Sequence, residues 1–139
     1  MVTYVLDTSV VVQWFEESSE PHIKKARKLL VDLQDGKINI LMPNIVALEL
    51  LNAILVGKKS SLEYANLAVK KLYQIPVTII ETSLPLLTEA AKLMDEYKLT
   101  SYDAYFLALA RYEGCKLISD DQKAHGKITD ETVLMLEDY

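Results

Sequence analysis

Val2-Thr3-Tyr4-Val5-Leu6-Asp7-Thr8-Ser9 opens the chain. Val2 to Leu6 is short, apolar and partly β-branched, the pattern of a buried strand. A single acid follows at once, the only charged residue between Met1 and Phe15. Thr8-Ser9 then offer N-cap chemistry for a short helix carrying Val12 and Phe15. A buried strand that runs through one carboxylate into a helix is the start of a βα unit, and the rest of the chain repeats this alternation.

Pro21 suits the first turn of a second helix, whose stripe is Ile23, Ala26, Leu29, Leu30 and Leu33, with Gly36 as its stop. Ile38 to Met42 reads as a second strand. Pro43 opens a very apolar helix to Val56, stopped by Gly57. Ser60 and Glu63 have capping-box spacing for a helix to about Tyr73. Val77 to Glu81 reads as a third strand, and Ser83 caps a helix from Leu84 to Tyr97. Ser101 caps a helix from Tyr102 to Glu113, ended by Gly114. Lys116 to Ser119 is a fourth strand, followed by Asp120-Asp121, and Val133 to Leu136 a short fifth. Strands separated by helices imply βαβ units, a parallel sheet and helices on both faces.

Glu49 is the only charged residue from Ile38 to Gly57, and Asp103 the only one from Leu99 to Ala110. With Asp7, they interrupt stretches that otherwise read as core, where an unpaired carboxylate costs several kcal/mol or neutralises itself. Ligands of open parallel sheets bind outside the carboxyl ends of the strands. Asp7 follows strand one there, Asp120-Asp121 follow strand four, Asp103 begins the helix before strand four, and Glu49 lies two turns into its helix. Each has an ordinary explanation taken singly: a cap at Asp7, a helix-dipole contact at Asp103, a turn pair at Asp120-Asp121, a narrow polar edge at Glu49. Jointly they suggest one pocket holding a hard divalent cation such as Mg²⁺ or Mn²⁺.

The bulk properties agree. The chain has 139 residues, half of them hydrophobic and a quarter charged, and reads as a single domain over 1–139. A net charge of −5 argues against coating nucleic acid by bulk electrostatics, though not against a metal-assisted site with a few local lysines. The longest uncharged run, Ile38 to Leu48, falls well short of the roughly 20 residues that span a bilayer. The N-terminus lacks a basic segment, so a signal peptide is not expected. Cys115 is the only cysteine, so no internal disulfide forms, which suits a reducing cytoplasm; it reads as a small core residue. His22 and His125 lie among polar neighbours and read as surface histidines, not a zinc site. No nucleophile elbow or glycine-rich phosphate loop is present. Lys58-Lys59 and Lys123, His125 and Lys127 could meet phosphates or simply face water. Lys24, Lys25, Arg27 and Lys28 read as solvent-facing, Phe15 as core, and Trp14 as either core or partner surface.

Val5-Leu6-Asp7-Thr8-Ser9, Glu49 in its apolar helix, Ser101-Tyr102-Asp103-Ala104, and Leu117-Ile118-Ser119-Asp120-Asp121 together resemble the PIN domain, most closely the small toxins of the VapC type. The resemblance implies a Rossmann-like three-layer α/β/α fold with a central parallel sheet of four to five strands, and a metal-dependent endoribonuclease active on RNA. It implies a site of Asp7, Glu49, Asp103 and Asp121, with Asp120 as the alternative fourth acid. Ser9 and Ser119 would orient carboxylates or water, or serve only in capping and turns. Mg²⁺ or Mn²⁺, a cognate antitoxin and a homodimer follow from the same resemblance. A non-catalytic PIN-fold binding module is the competing reading. A phosphoryl-receiver domain ranks lower, because no lysine follows strand four at the required place.

Overall fold

The computed structural model describes residues 1–15 and 21–139. Its strands are β1 (Val2–Leu6), β2 (Ile38–Pro43), β3 (Thr78–Ile80), β4 (Lys116–Ser119) and β5 (Val133–Met135). They form one parallel sheet in the order β3-β2-β1-β4-β5. Between them lie α1 (Thr8–Val11), α2 (Ile23–Gln34), α3 (Ile45–Leu51), α4 (Leu62–Gln74), α5 (Leu84–Tyr97) and α6 (Ser101–Glu113). The chain builds outward from β1 to β2 and β3, then returns to add β4 and β5 on the other side. The order therefore reverses between β1 and β4, and the carboxyl ends of those two strands flank the crevice where such folds bind ligands. Leu6 pairs with Ile118, and the Asp7 amide donates to the Ile118 carbonyl at 3.0 Å.

Helices cover both faces, as the alternation of elements requires. α6 lies across β1, β2 and β4 and is covered by α5, while α2 packs on β2. Every residue from Ala104 to Ala110 is buried. α6 thus has no polar face over that run, because it is enclosed by the sheet on one side and α5 on the other. Phe106, fully buried there, contributes about 1.5–3 kcal/mol by transfer from water.

Several boundaries differ from those read in the sequence, each for a local reason. Asp7, not Thr8 or Ser9, is the N-cap of α1, and its carboxylate accepts from the Ser9 amide. Pro43 ends β2 instead of opening a helix: the donor it lacks falls at the strand's end, where the Asn44 amide continues the pairing to Ile80. After Leu51 the helix winds on as a π-turn over Asn52–Gly57, so the expected apolar helix is continuous but not uniform. Ser61, one residue past the expected cap, accepts from the Tyr64 amide, and Thr100, one residue before Ser101, accepts from the Asp103 amide. β3 is shorter than expected and lies at an edge. Leu136 leaves β5 for a 3₁₀ turn (Leu136–Asp138).

Candidate metal centre

Asp7 reaches the crevice because the β1–α1 junction places it at the sheet's carboxyl edge. It is 5% exposed, and its carboxylate accepts from the Ser9 amide at 3.1 Å. Burial pushes its carboxyl above 3.8; the nearby His125 ring and Ser9 pull it back, and Asp103 adds repulsion. Asp103 arrives from the first turn of α6. It accepts from the Thr100 hydroxyl at 3.1 Å while its amide donates to the same hydroxyl oxygen, a reciprocal cap. Glu49 comes from α3 and accepts from the Thr8 hydroxyl at 2.8 Å. Burial raises its carboxyl above 4.5, and Asp7 and Asp103 raise it further. Three acids from three separate elements thus share one electrostatic environment.

Asp120 and Asp121 diverge. Asp120 turns away, accepting from Gln13 Nε2 at 2.8 Å and pairing with His22 Nδ1 at 2.7 Å. One Asp121 oxygen accepts from the Ala124 amide, closing the turn after β4, and Asp121 lines a cleft together with Asp103. Ser9 holds both sides of the junction: its amide donates to Asp7, and its hydroxyl oxygen accepts from the Asp120 amide at 2.9 Å. The Ser119 oxygen accepts from the Asp121 amide at 3.1 Å and meets His125 Nδ1 at 2.7 Å.

Two expectations about histidine fail. His22 is half-buried and tied to Asp120. His125 is fully buried at the centre of the site. Its Nε2 lies 3.1 Å from the Asp103 main-chain carbonyl, which can only accept, so Nε2 carries the proton. In the neutral ring Nδ1 is then the acceptor, and Ser119 donates to it. Asp7, Asp103 and His125 each present a ligand-type atom within 4.8 Å of the others. With both nitrogens engaged, His125 acts as a clamp between β4 and α6. The surrounding Lys123, Gly126 and Lys127 hide it in the sequence; only the buried Ala124 and Ile128 beside it hint that this turn folds inward.

The minor expectations sort similarly. Trp14 is structural, its indole donating to the Ala26 carbonyl at 2.8 Å. Phe15 and Cys115 are half-buried against the core, and burial raises the Cys115 thiol above 9.0. Lys25 is not solvent-facing along its length, since it donates to the Tyr139 carbonyl.

The donor set suits a hard divalent cation. Two carboxylates lie within 4.8 Å, with Glu49 in electrostatic reach. Among the described residues no lysine or arginine forms an ion pair with any of the three. Negative charge gathered without a paired lysine or arginine is what a bound cation would neutralise.

Solved structures share the fold closely. A toxin–antitoxin complex from Klebsiella pneumoniae superposes with a TM-score of 0.70 at 22% identity, over 96% of this chain and 97% of that one. VapC20 from Mycobacterium tuberculosis, a sarcin–ricin-loop-cleaving toxin, gives 0.69 at 17% identity over 92% and 97%. VapBC2 from Rickettsia felis, bound to a promoter DNA fragment, gives 0.69 at 18% over 96% and 98%. No curated protein matches the chain in sequence. The family model described as PIN domain matches residues 4–128, nearly the full length and all of the acids described above, and the chain therefore belongs to the PIN domain family.

Proposed function

We propose that the protein is a metal-dependent endoribonuclease and the toxin of a toxin–antitoxin pair. The observation that carries this reading is the convergence of Asp7, Glu49 and Asp103, from three elements, on the switch point of a parallel sheet, with no lysine or arginine paired to them among the described residues. Asp7 and Asp103 would be the principal ligands of Mg²⁺ or Mn²⁺, with Glu49 and Asp121 completing the site directly or through water. A cation bound there supplies charge neutralisation, a more acidic water and stabilisation of charge on a phosphodiester. The chain's own groups do the positioning. Thr8 fixes Glu49, Thr100 fixes Asp103, and Ser9 fixes Asp7. Ser119, through His125, holds β4 and α6 at a set spacing.

RNA as substrate and a proteinaceous antitoxin are supported by the likeness to the Klebsiella pneumoniae complex and to VapC20. A groove of about 490 Å³, with apolar walls from Trp14, Leu30, Leu67 and Ile75 and polar ones from Gln34 and Lys71, would take an antitoxin segment. A homodimer and a cytoplasmic location complete the proposal; no helix among the described residues is long and apolar enough to cross a membrane. The competing reading, a non-catalytic module, leaves the three gathered acids without purpose. Cleavage of single-stranded RNA in Mn²⁺ or Mg²⁺ tests the proposal. Wild type cleaves; Asp7→Asn and Asp103→Asn do not. Cleavage that survives both substitutions refutes it.

A further inference from the structure

Beside the acids lies a cleft of about 300 Å³ whose walls include Lys98, Thr100, Asp103, Asp121, Lys123 and Lys127. Asp103 belongs both to this cleft and to the carboxylate cluster, so the two spaces share a wall. The lysines come from two places that the fold brings together: the α5–α6 junction and the turn after β4. Lys123 and Lys127 have no ion-pair partner among the described residues. Among the described residues Lys98 pairs with Asp95 alone, an exposed residue 3.7 Å away. Lys98 also occupies a left-handed backbone position, φ 56° and ψ 42°, at the end of α5. Glycine is the residue such a helix end ordinarily takes, so a lysine there is held against local preference. In a chain of net charge −5, three lysines against the two acids Asp103 and Asp121 leave this cleft's walls with a net positive charge.

We infer that this cleft is the phosphate track of the substrate: it takes the backbone phosphates of a single-stranded RNA immediately beside the bond presented to Asp7 and Asp103. The inference rests on the ribonuclease reading and adds to it the direction in which the strand leaves the site. The acids repel phosphate without their cation, and Lys98, Lys123 and Lys127 supply the fixed positive charge that seats the strand. Each phosphate neutralised by lysine adds about 0.7 to the salt dependence of log K for single strands. Three contacts therefore add about 2 to the slope, which corresponds to roughly twentyfold in affinity between 50 and 200 mM salt.

The test measures binding of a fluorescent single-stranded RNA by anisotropy across a salt series, in an Asp7→Asn background so that the RNA survives. Removing the track with Lys98→Gln, Lys123→Gln and Lys127→Gln together lowers the slope by about 2. A charge-matched control, Lys24→Gln, Arg27→Gln and Lys70→Gln, leaves it within about 0.5 of the parent. Lys98→Gly separates fold from binding, because it relieves the backbone, raises Tm and still lowers the slope by about 0.7. An unchanged slope in the triple variant, in a protein whose wild type cleaves RNA with Mn²⁺, overturns the track while leaving the ribonuclease reading intact. A wild type that neither binds nor cleaves RNA overturns both.

Discussion

Replacing Asp7 with asparagine stabilises the metal-free protein. Asn is as good an N-cap as Asp, so the bond from the Ser9 amide and the start of α1 survive the change. What is lost is a charge that is 5% exposed and held close to two other acids. Two unit charges 4.8 Å apart, the outer limit for Asp7 and Asp103, repel by about 3.5 kcal/mol at an effective dielectric of about 20. Asp103 is only half-buried and the pair is partly relieved by protonation, which leaves a net gain of about 2 kcal/mol. For a chain of this size that raises Tm by roughly 6–8 °C. The sign with pH follows from the raised carboxyl. The stability tied to Asp7 is complete below its unfolded value of 3.8 and is lost as pH rises through the higher folded value. The advantage of Asp7→Asn therefore grows from about pH 4 toward 7 and closes on acidification.

Metal reverses the order. At a hundredfold its Kd, Mn²⁺ stabilises the wild type by about 2.7 kcal/mol, while the variant, without the ligand proposed at Asp7, gains little. Calorimetric melts of both proteins in chelator and in Mn²⁺, at three pH values, measure all of this together. If the wild type equals or exceeds the variant in chelator at neutral pH, or if both shift equally with Mn²⁺, the reasoning that Asp7 is a buried charge kept for a cation is refuted.

Three further outcomes are expected. His125→Ala takes its acceptor from the Ser119 hydroxyl, cuts the tie to the Asp103 carbonyl and leaves a buried void, costing about 2–4 kcal/mol by urea denaturation and weakening Mn²⁺ binding by calorimetric titration. Thr100→Ala removes the cap of α6, costing about 1 kcal/mol by the same denaturation and loosening the Asp103 carboxylate, seen as lower Mn²⁺ affinity. Asp32 behaves oppositely to Asp7: bonds from Lys28 and the Tyr139 hydroxyl hold its carboxyl below 3.8. Its contribution is present above pH 3.8 and lost as pH falls through the lower folded value, so Asp32→Asn flattens the acid limb of a Tm–pH curve.

The order of elements was legible because hydrophobic period survives translation into structure. α5 runs from Leu84 to Tyr97 behind Ser83, and β4 from Lys116 to Ser119, as read. Caps slid by one residue at Ser60-Ser61 and Thr100-Ser101, where two competent hydroxyls adjoin. Either residue can accept from an amide three positions on; tertiary geometry at the helix entry decides which one does. Asp120 and Asp121 were indistinguishable for a related reason. Their fates depend on partners more than ninety residues away for Asp120, and on the local turn for Asp121. His125 was misread because burial of a polar ring depends on partners the sequence does not reveal, here a donating hydroxyl six residues back and an accepting main-chain carbonyl.

The ordinary explanation of these acids and the proposed functional one rest on the same geometry. In a parallel sheet with crossover helices, helix N-termini collect at the carboxyl edge of the strands. An acid that caps such a helix is therefore delivered to the crevice by the same geometry that makes it a good cap. Asp7 caps α1, Asp103 closes a reciprocal cap on α6, and Asp121 closes the turn after β4. The amides at these positions also present positive potential, which offsets part of the repulsion among Asp7, Glu49 and Asp103 before any cation arrives. Glu49 lacks that support, since it sits inside α3 and relies on the Thr8 hydroxyl. Thr8→Val, isosteric but without the donor, then acts on Glu49 alone. It raises the Glu49 carboxyl further and weakens Mn²⁺ binding at pH 6 more than at pH 8, because protons compete harder for the carboxylate that has lost its bond. A Mn²⁺ affinity with the same pH dependence as wild type would show that Glu49 stands outside the metal centre.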